Sequence, residues 1–443
     1  MSELLPPGPS SPPWLQLMQF LYRPQRFLGG ARERYGTPFT FRLPGLPPFV
    51  SFCDPAAVKE VFTGSPRELY AGQANIVLKP FLGPHSVLVL DGDLHMEQRR
   101  LLLPPFRGDR MKSYGGAMID ITRARMARWG RMPMRMQTET QAITLEVILR
   151  TVFGMQEGRE KRTEALRTCL VKTLKMLDNP LSIVKEFQRD LGPWSPWRRF
   201  LDLRSRMRGL ITDEIADRRV VGRGDRDDVL SLLLEATHED GRPMSDEEIR
   251  DELVTMLVAG HETTATGLSW AIHRLSTHPD VLRRVQDELD RTFPEGRVTP
   301  EKIGDLEYLD AVAKETLRIH PVIPGVGRVL QVPTEIGGVE LPAGTIVACS
   351  IVLANTNTDV WDEPERFDPE RFVGKRISPY EFFPFGGGVR RCIGEAFALW
   401  EMRAVLATIL RELEPVAVAP VRTVRRNITL SPSLGLPIRF RRR

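Results

Sequence analysis

Cysteine is scarce in this chain of 443 residues: Cys53, Cys169, Cys349 and Cys392 are the four, far apart, with no CxxC pair and no zinc-ligand spacing. That excludes a disulfide framework and a zinc module, and it fits a reducing cytoplasm. A long apolar run at the start is missing as well. The stretch Leu4-Leu-Pro-Pro-Gly-Pro-Ser-Ser-Pro-Pro has no basic flank leading into an apolar segment, so neither a signal peptide nor a membrane anchor is expected. Charge of one sign is also lacking. Lys+Arg of 62 against Asp+Glu of 57 gives +5, too mild over this length to suggest nucleic acid as a partner. The clustered Arg422, Arg425, Arg426 and Arg441 to Arg443 read as solvated positions, the last three as a frayed tail. Internal repeats and low-complexity linkers are absent.

Apolar residues make up 42%, enough for a large core. After a proline-rich arm over residues 1–13, Phe39 to Val50 alternates around Pro44-Gly45 as a strand pair would. From about Gly92 to His320 helical patterns dominate. Thr334-Glu-Ile-Gly-Gly-Val-Glu340 reads as a hairpin, and Ile428 to Phe440 as a last one. The expectation is one mainly α domain over 1–443 with a small β region.

Near the C-terminus the chain reads Phe385-Gly-Gly-Gly-Val-Arg390-Arg-Cys392-Ile-Gly394, and a helical pattern follows at once. A cysteine entering a helix start meets unpaired N–H groups and the positive end of the helix dipole. Both favour a thiolate, the form that binds iron. Glycines permit the tight turn, and Gly394 leaves room for a flat cofactor. Arg390 suits a carboxylate, and Phe385 would screen the sulfur. Together these residues describe a haem with Cys392 as axial ligand. The bland alternative is a buried structural cysteine beside a glycine turn.

Ser245-Asp-Glu-Glu248 has the form of a capping box. Behind it Ile249, Leu253, Leu257, Thr264, Leu268, Ala271 and Leu275 recur at helical spacing until His278-Pro279. Some thirty residues at about 1.5 Å each span ~45 Å, so this helix must cross the core. In its middle sits Ala259-Gly260-His261-Glu262-Thr263-Thr264. Glycine there costs about 1 kcal/mol and threonine is a weak helix former, which points either to function and a local opening of the ladder or to a packing glycine with back-bonded threonines. His261 reads as a surface or packing residue.

The complete F-x-x-G-x-R-x-C-x-G run resembles that of the cytochrome P-450 family, the haem-thiolate monooxygenases, and Ala259 to Thr264 is similar to the family's [AG]-G-x-[DE]-T-[TS] pattern. The resemblance extends over nearly the whole chain and is that of a soluble bacterial member. It implies the family's fold, with haem b buried between the central helix and the Cys392 loop and helix. It implies that Ala259 and Gly260 make room for dioxygen, that Thr263 hydrogen-bonds it, and that Glu262 helps deliver protons. Glu315-Thr-Leu-Arg318 is similar to the family's E-x-x-R and implies, with Arg371, a buried structural network. His95, Arg99, Arg328 and Arg390 are implied to hold the propionates. One departure is Asn355-Thr-Asn-Thr-Asp359, where many relatives have His-Arg-Asp.

The activity implied is insertion of one oxygen atom of O2 into an apolar small molecule, of fatty acid, terpenoid, steroid or polyketide class. Electrons would come to a monomer from a separate ferredoxin or flavodoxin with its NAD(P)H reductase, docking near Arg100 and Arg391. A peroxide-using hydroxylase and a catalytically silent haem-thiolate protein are the competing readings. The pocket is expected from Ala71 to Val89, with Asn75 and Lys79 as polar handles, and from Val258, Ala259, Val322 to Val326 and Ser433 to Leu436.

Overall fold

The 32-residue helix Asp246–Thr277 organises the molecule, and its start is written locally. Ser245 Oγ accepts the Glu248 N–H at 3.2 Å while the Glu248 carboxylate accepts the Ser245 N–H at 2.8 Å. This reciprocal cap satisfies two donors that a helix start otherwise leaves open. The helix ends before His278-Pro279, because proline disfavours helical geometry in the residue ahead of it. Ile249, Leu253, Leu257, Leu268, Ile272 and Leu275 are fully buried, each contributing about 1.5–3 kcal/mol of apolar burial. The α-helix is continuous through Gly260, so the ladder does not open there.

This computed structural model describes residues 5–106, 108, 110–130, 132–154, 160–177, 188–426 and 428–443. Against the central helix pack Met136–Thr151, Pro196–Val221 (the roof helix), Glu307–Ile319 and Glu395–Leu410 (the Cys helix). The smaller β region sits to one side. Its main sheet runs Phe39–Phe41, Phe49–Phe52, Ile346–Ser350, Gly325–Leu330, Leu69–Tyr70 in spatial order, with only the second and third strands parallel. A second core gathers between this sheet and the helices Pro13–Tyr22 and Pro24–Tyr35. The hairpin read at Thr334 to Glu340 forms as Thr334–Ile336 paired with Val339–Leu341. Gly337 and Gly338 turn it at φ +58° and +73°, where a side chain would be strained. No helix among the described residues is long and apolar enough to cross a membrane.

Three expectations fail. The last hairpin is Thr423–Arg426 with Thr429–Pro432, so Ile428 lies at its turn. Pro437–Arg442 joins a different sheet, between Met134–Arg135 and Leu413–Ala417. The cause is local: Leu434, Gly435 and Leu436 all have left-handed φ, which redirects the chain and does not reverse it. The terminal arginines are not frayed, since Arg441 and Arg442 pair in that sheet and Arg443 Nη1 donates to Asp290 Oδ1 at 2.9 Å. Arg425 is not simply solvated: it lies 5.0 Å over the Phe20 ring, and burial pulls its pKa down to about 10. The proline-rich arm is docked: the Thr40 N–H donates to Pro7 O at 2.9 Å, and Gln16 Nε2 reaches Ser11 O at 2.6 Å. Its first four residues lie outside the described ones.

Candidate active site

Two of the three glycines ahead of Cys392, Gly387 and Gly388, are held against the helix Pro55–Thr63. A Cβ on Gly387 would lie 2.0 Å from Phe62 Cδ2, and one on Gly388 1.9 Å from Phe62 O at φ +62°. Only glycine lets these backbones approach so closely. Beyond them the Cys392 N–H donates to Phe385 O at 2.9 Å. Of the four cysteines only Cys392 is accessible. Its thiol is nonetheless desolvated, as a group lining an internal recess would be. Burial is the largest influence and pushes its pKa up, while the Gly394 N–H, Arg99 and Arg391 oppose it. The helix start favours the thiolate as expected, but in the free thiol burial outweighs it.

The four basic residues proposed from the sequence converge. His95 is 1% exposed, and its pKa is lowered to about 3 by burial and then by the charges of Arg390, Arg99 and Arg328. Arg328 is buried, donates Nη1 to Gly327 O at 2.8 Å, and has no carboxylate in ion-pair range among the described residues. Arg390 donates Nη2 to Asp91 Oδ1 at 2.6 Å and to Leu90 O at 2.6 Å. Asp91 escaped the sequence reading. An aspartate ahead of the helix Gly92–Leu102 (the His95 helix) reads as its cap, yet its carboxylate accepts the Gly72 and Gln73 N–H groups at 2.7 and 2.8 Å.

Arg328 thus brings a buried positive charge that no carboxylate among the described residues pairs, and His95 Nδ1 is buried without a partner. A Cβ on Gly394 would meet nothing nearer than Cys392 Sγ at 4.0 Å. An accessible thiol, room beside it and the converging guanidinium groups of Arg99, Arg328 and Arg390 fit a flat, dianionic iron cofactor such as haem.

On the buried central helix Met256, Ala259, Gly260 and Thr263 are partly accessible, a stripe at i, i+3, i+4 and i+7. Thr263 Oγ1 donates to Ala259 O at 2.5 Å. Gly260 serves packing, as its missing Cβ would lie 3.1 Å from Ile148 Cδ1. Glu262 is buried and accepts from Gln141 Nε2 at 2.7 Å, so its carboxylate is engaged by the helix Met136–Thr151. His261 is a packing residue, its Nε2 3.0 Å from Gln141 O, and burial lowers its pKa to about 4.

The structural network forms as the resemblance implied. Arg318 grips Glu315 with two bonds of 2.7 and 2.8 Å, both side chains fully buried, and Arg371 Nε lies 3.6 Å from Glu315 Oε1. Asn355, the departure, is buried and donates Nδ2 to Arg318 O at 2.9 Å. Around the recess two expectations need correction. Asn75 holds the loop itself, donating to Leu88 O at 3.2 Å, and Lys79 is exposed. The Leu430 N–H donates to Val322 O at 2.8 Å, so the hairpin turning at Ile428 flanks Val322, and residues 433–436 lie at its other end. Arg100 and Arg391 point outward as expected, but each is ion-paired, with Glu239 and Glu395.

The Cytochrome P-450 family model matches residues 6–438. The chain belongs to this family and is a haem-thiolate monooxygenase, an oxidoreductase that uses haem and O2. It is 41% identical to cytochrome P-450 135B1 of Mycobacterium tuberculosis, covering 99% of this chain and 91% of that protein. It is 37% identical to cytochrome P-450 138 of the same species, over 99% and 97%. Among solved structures it is similar in fold to retinoic acid bound cyanobacterial CYP120A1, with TM-score 0.87 and 24% identity over 99% and 100% of the two chains. A cytochrome P-450DA haem domain has TM-score 0.85 at 24% identity, over 99% and 96%.

Proposed function

We propose that Cys392 is the only protein ligand of a haem b iron. The propionates would be held by His95, Arg99, Arg328 and Arg390. The observation that carries this is the single accessible cysteine with Arg99 near it, Arg99 being grouped with Arg328, Arg390 and the buried neutral His95. Haem, when bound, supplies the electron-transfer and dioxygen chemistry, and a thiolate ligand favours O–O cleavage. The protein's own residues do the rest. Arg390 and Arg328 would neutralise the propionates, and neutral His95 would donate a hydrogen bond to them. The partly accessible Ala259 and Gly260 would leave room for dioxygen beside the cofactor. Thr263 and Glu262 would pass protons inward, with Gln141 holding the Glu262 carboxylate in place. Two electrons, two protons and O2 convert the substrate to its oxygenated product and water.

The substrate is an apolar small molecule of fatty acid, terpenoid, steroid or polyketide class, since Leu78, Leu88, Val258 and the aromatic Phe81, Trp197 and Phe200 pack as one cluster. Electrons come from a separate ferredoxin or flavodoxin with its NAD(P)H reductase, and the chain works in the cytoplasm as a single-domain monomer. Cys392→Ser tests the ligand. The reduced carbon-monoxide spectrum should lose its thiolate signature, and a variant that keeps it would assign the iron to another group. Substrate class is tested by a Soret-shift screen against one member of each class; if only polar ligands shift the band, the apolar reading fails.

A further inference from the structure

Asp251 and Glu252 are consecutive acids on the central helix, each with no solvent exposure. Buried carboxyls are costly unless they are bonded. Both are directed at one short segment. Asp251 Oδ2 accepts the His85 N–H at 3.2 Å, and Glu252 Oε1 accepts the Val87 N–H at 2.7 Å. Between them Thr255 Oγ1 donates to Ser86 Oγ at 2.7 Å. Three successive residues thus hang on the helix through side chains. Gly83 permits the approach: its φ is +103°, and a Cβ there would lie 2.4 Å from Asp251 Cγ.

Glu252 Oε1 also accepts from Gln98 Nε2 at 3.1 Å, and Gln98 stands on the His95 helix beside Arg99. The far side of the segment meets the Cys392 loop. Arg390 donates Nη1 to Val87 O at 3.2 Å and Nη2 to Leu90 O and Asp91 Oδ1, each at 2.6 Å. One carboxyl therefore ties together the central helix, the His95 helix and the segment that seats Arg390.

We propose that Glu252 is a positioning residue for the haem cradle: by accepting from Val87 and Gln98 it sets where Arg390, Arg99 and His95 stand, without touching cofactor or substrate. This rests on the haem-binding reading above, and the experiment separates the two. Its protonation follows from its surroundings. Burial raises its pKa to about 8, the charges of Asp251 and Glu248 add to this, and the Val87 N–H and Gln98 oppose it. From the roof helix Arg208 is 2.6 Å from Asp251, so its charge is taken by that neighbour. Oε2 is buried with no partner and can carry the proton. An acid whose folded pKa lies above its unfolded value near 4.5 loses its stabilising contribution as pH rises toward about 8. The cradle should loosen on the alkaline side.

The test compares the haem-loaded wild type with E252Q, which keeps a neutral acceptor, and E252L, which keeps none. Haem transfer to excess apomyoglobin and amide exchange of the peptide 84–91 are followed from about pH 6.5 to about pH 9.5. With amide exchange divided by its intrinsic, hydroxide-catalysed rate, both rates in the wild type should climb up to about pH 8 and level off above it, and in E252Q both should stay flat. E252L should be roughly tenfold faster in both at neutral pH, the effect of leaving a buried N–H unpaired. A climb retained in E252Q, or wild-type rates in E252L, overturns the proposal. If E252L does not fold, the E252Q profile alone decides. Exchange at 84–91 is read in haem-free protein too, so a failure of the haem reading, seen as a missing thiolate signature in the wild type, stays distinguishable.

Discussion

Replacing Arg318 by leucine should be among the most destabilising single changes in this molecule. The guanidinium donates to both Glu315 oxygens, at 2.7 and 2.8 Å, and also to Asn355 O, Pro364 O and Arg366 O at 2.8, 2.8 and 3.1 Å. Leucine removes all five bonds and leaves the Glu315 carboxylate with only the Asp368 N–H at 2.8 Å and Arg371 Nε at 3.6 Å. Breaking a buried pair from one side costs about 3–5 kcal/mol, a large share of a typical folding free energy. Burial already pushes the Glu315 pKa up with Arg318 present, and without it the carboxyl will protonate still more readily. The loss should therefore shrink as pH falls, because a protonated Glu315 needs no counter-charge. The assay is urea unfolding of the haem-loaded protein, followed by circular dichroism and by the Soret band. Arg366→Ala is the control: it removes the exposed Arg366–Glu363 pair, whose side chains are 63% and 64% exposed, and should change nothing measurable. A loss below about 1 kcal/mol for Arg318→Leu would refute the assignment of this network as a structural lock.

Thr263→Ala should leave substrate affinity near the wild-type value while diverting electrons to hydrogen peroxide, with roughly tenfold or more less product per NADPH. Unchanged coupling would remove Thr263 from proton delivery. His261 has a folded pKa of about 4 against an ordinary 6.5, so its contribution is complete above pH 6.5 and is lost as pH falls toward 4. His261→Gln should flatten the acid limb of stability against pH by up to about 1.4 kcal/mol per pH unit, and an unaltered limb would mean that His261 titrates normally. Reduction by an acidic partner should slow with ionic strength and with Arg100→Glu or Arg391→Glu. Because Glu395 pairs with Arg391 at 2.6 Å, Glu395→Gln should raise the low-salt rate, and indifference to all three substitutions would place docking elsewhere.

Much of this molecule is determined by local chemistry and so is legible in the chain. The Ser245 capping box, the Gly337-Gly338 turn and the Cys392 run depend on neighbours within a few positions. The grouping of His95, Arg99, Arg328 and Arg390 was legible by resemblance, as was the Glu315–Arg318–Arg371 network. What only the tertiary structure decided are pairings across the chain. Asp91 looks like a helix cap yet serves Gly72, Gln73 and Arg390. Glu262 sits in the expected motif, but the partner that engages it, Gln141, comes from another helix. Glu252 lies on an apolar stripe where its charge gives no hint of Val87 and Gln98. The last strand was misplaced because hairpin patterns do not say which sheet a strand joins, and three left-handed residues at 434–436 send it to the other one. Periodicity and capping act through the backbone nearby. A buried polar side chain takes its meaning from whatever folding brings within hydrogen-bond reach, and that is set by the packing of the whole core.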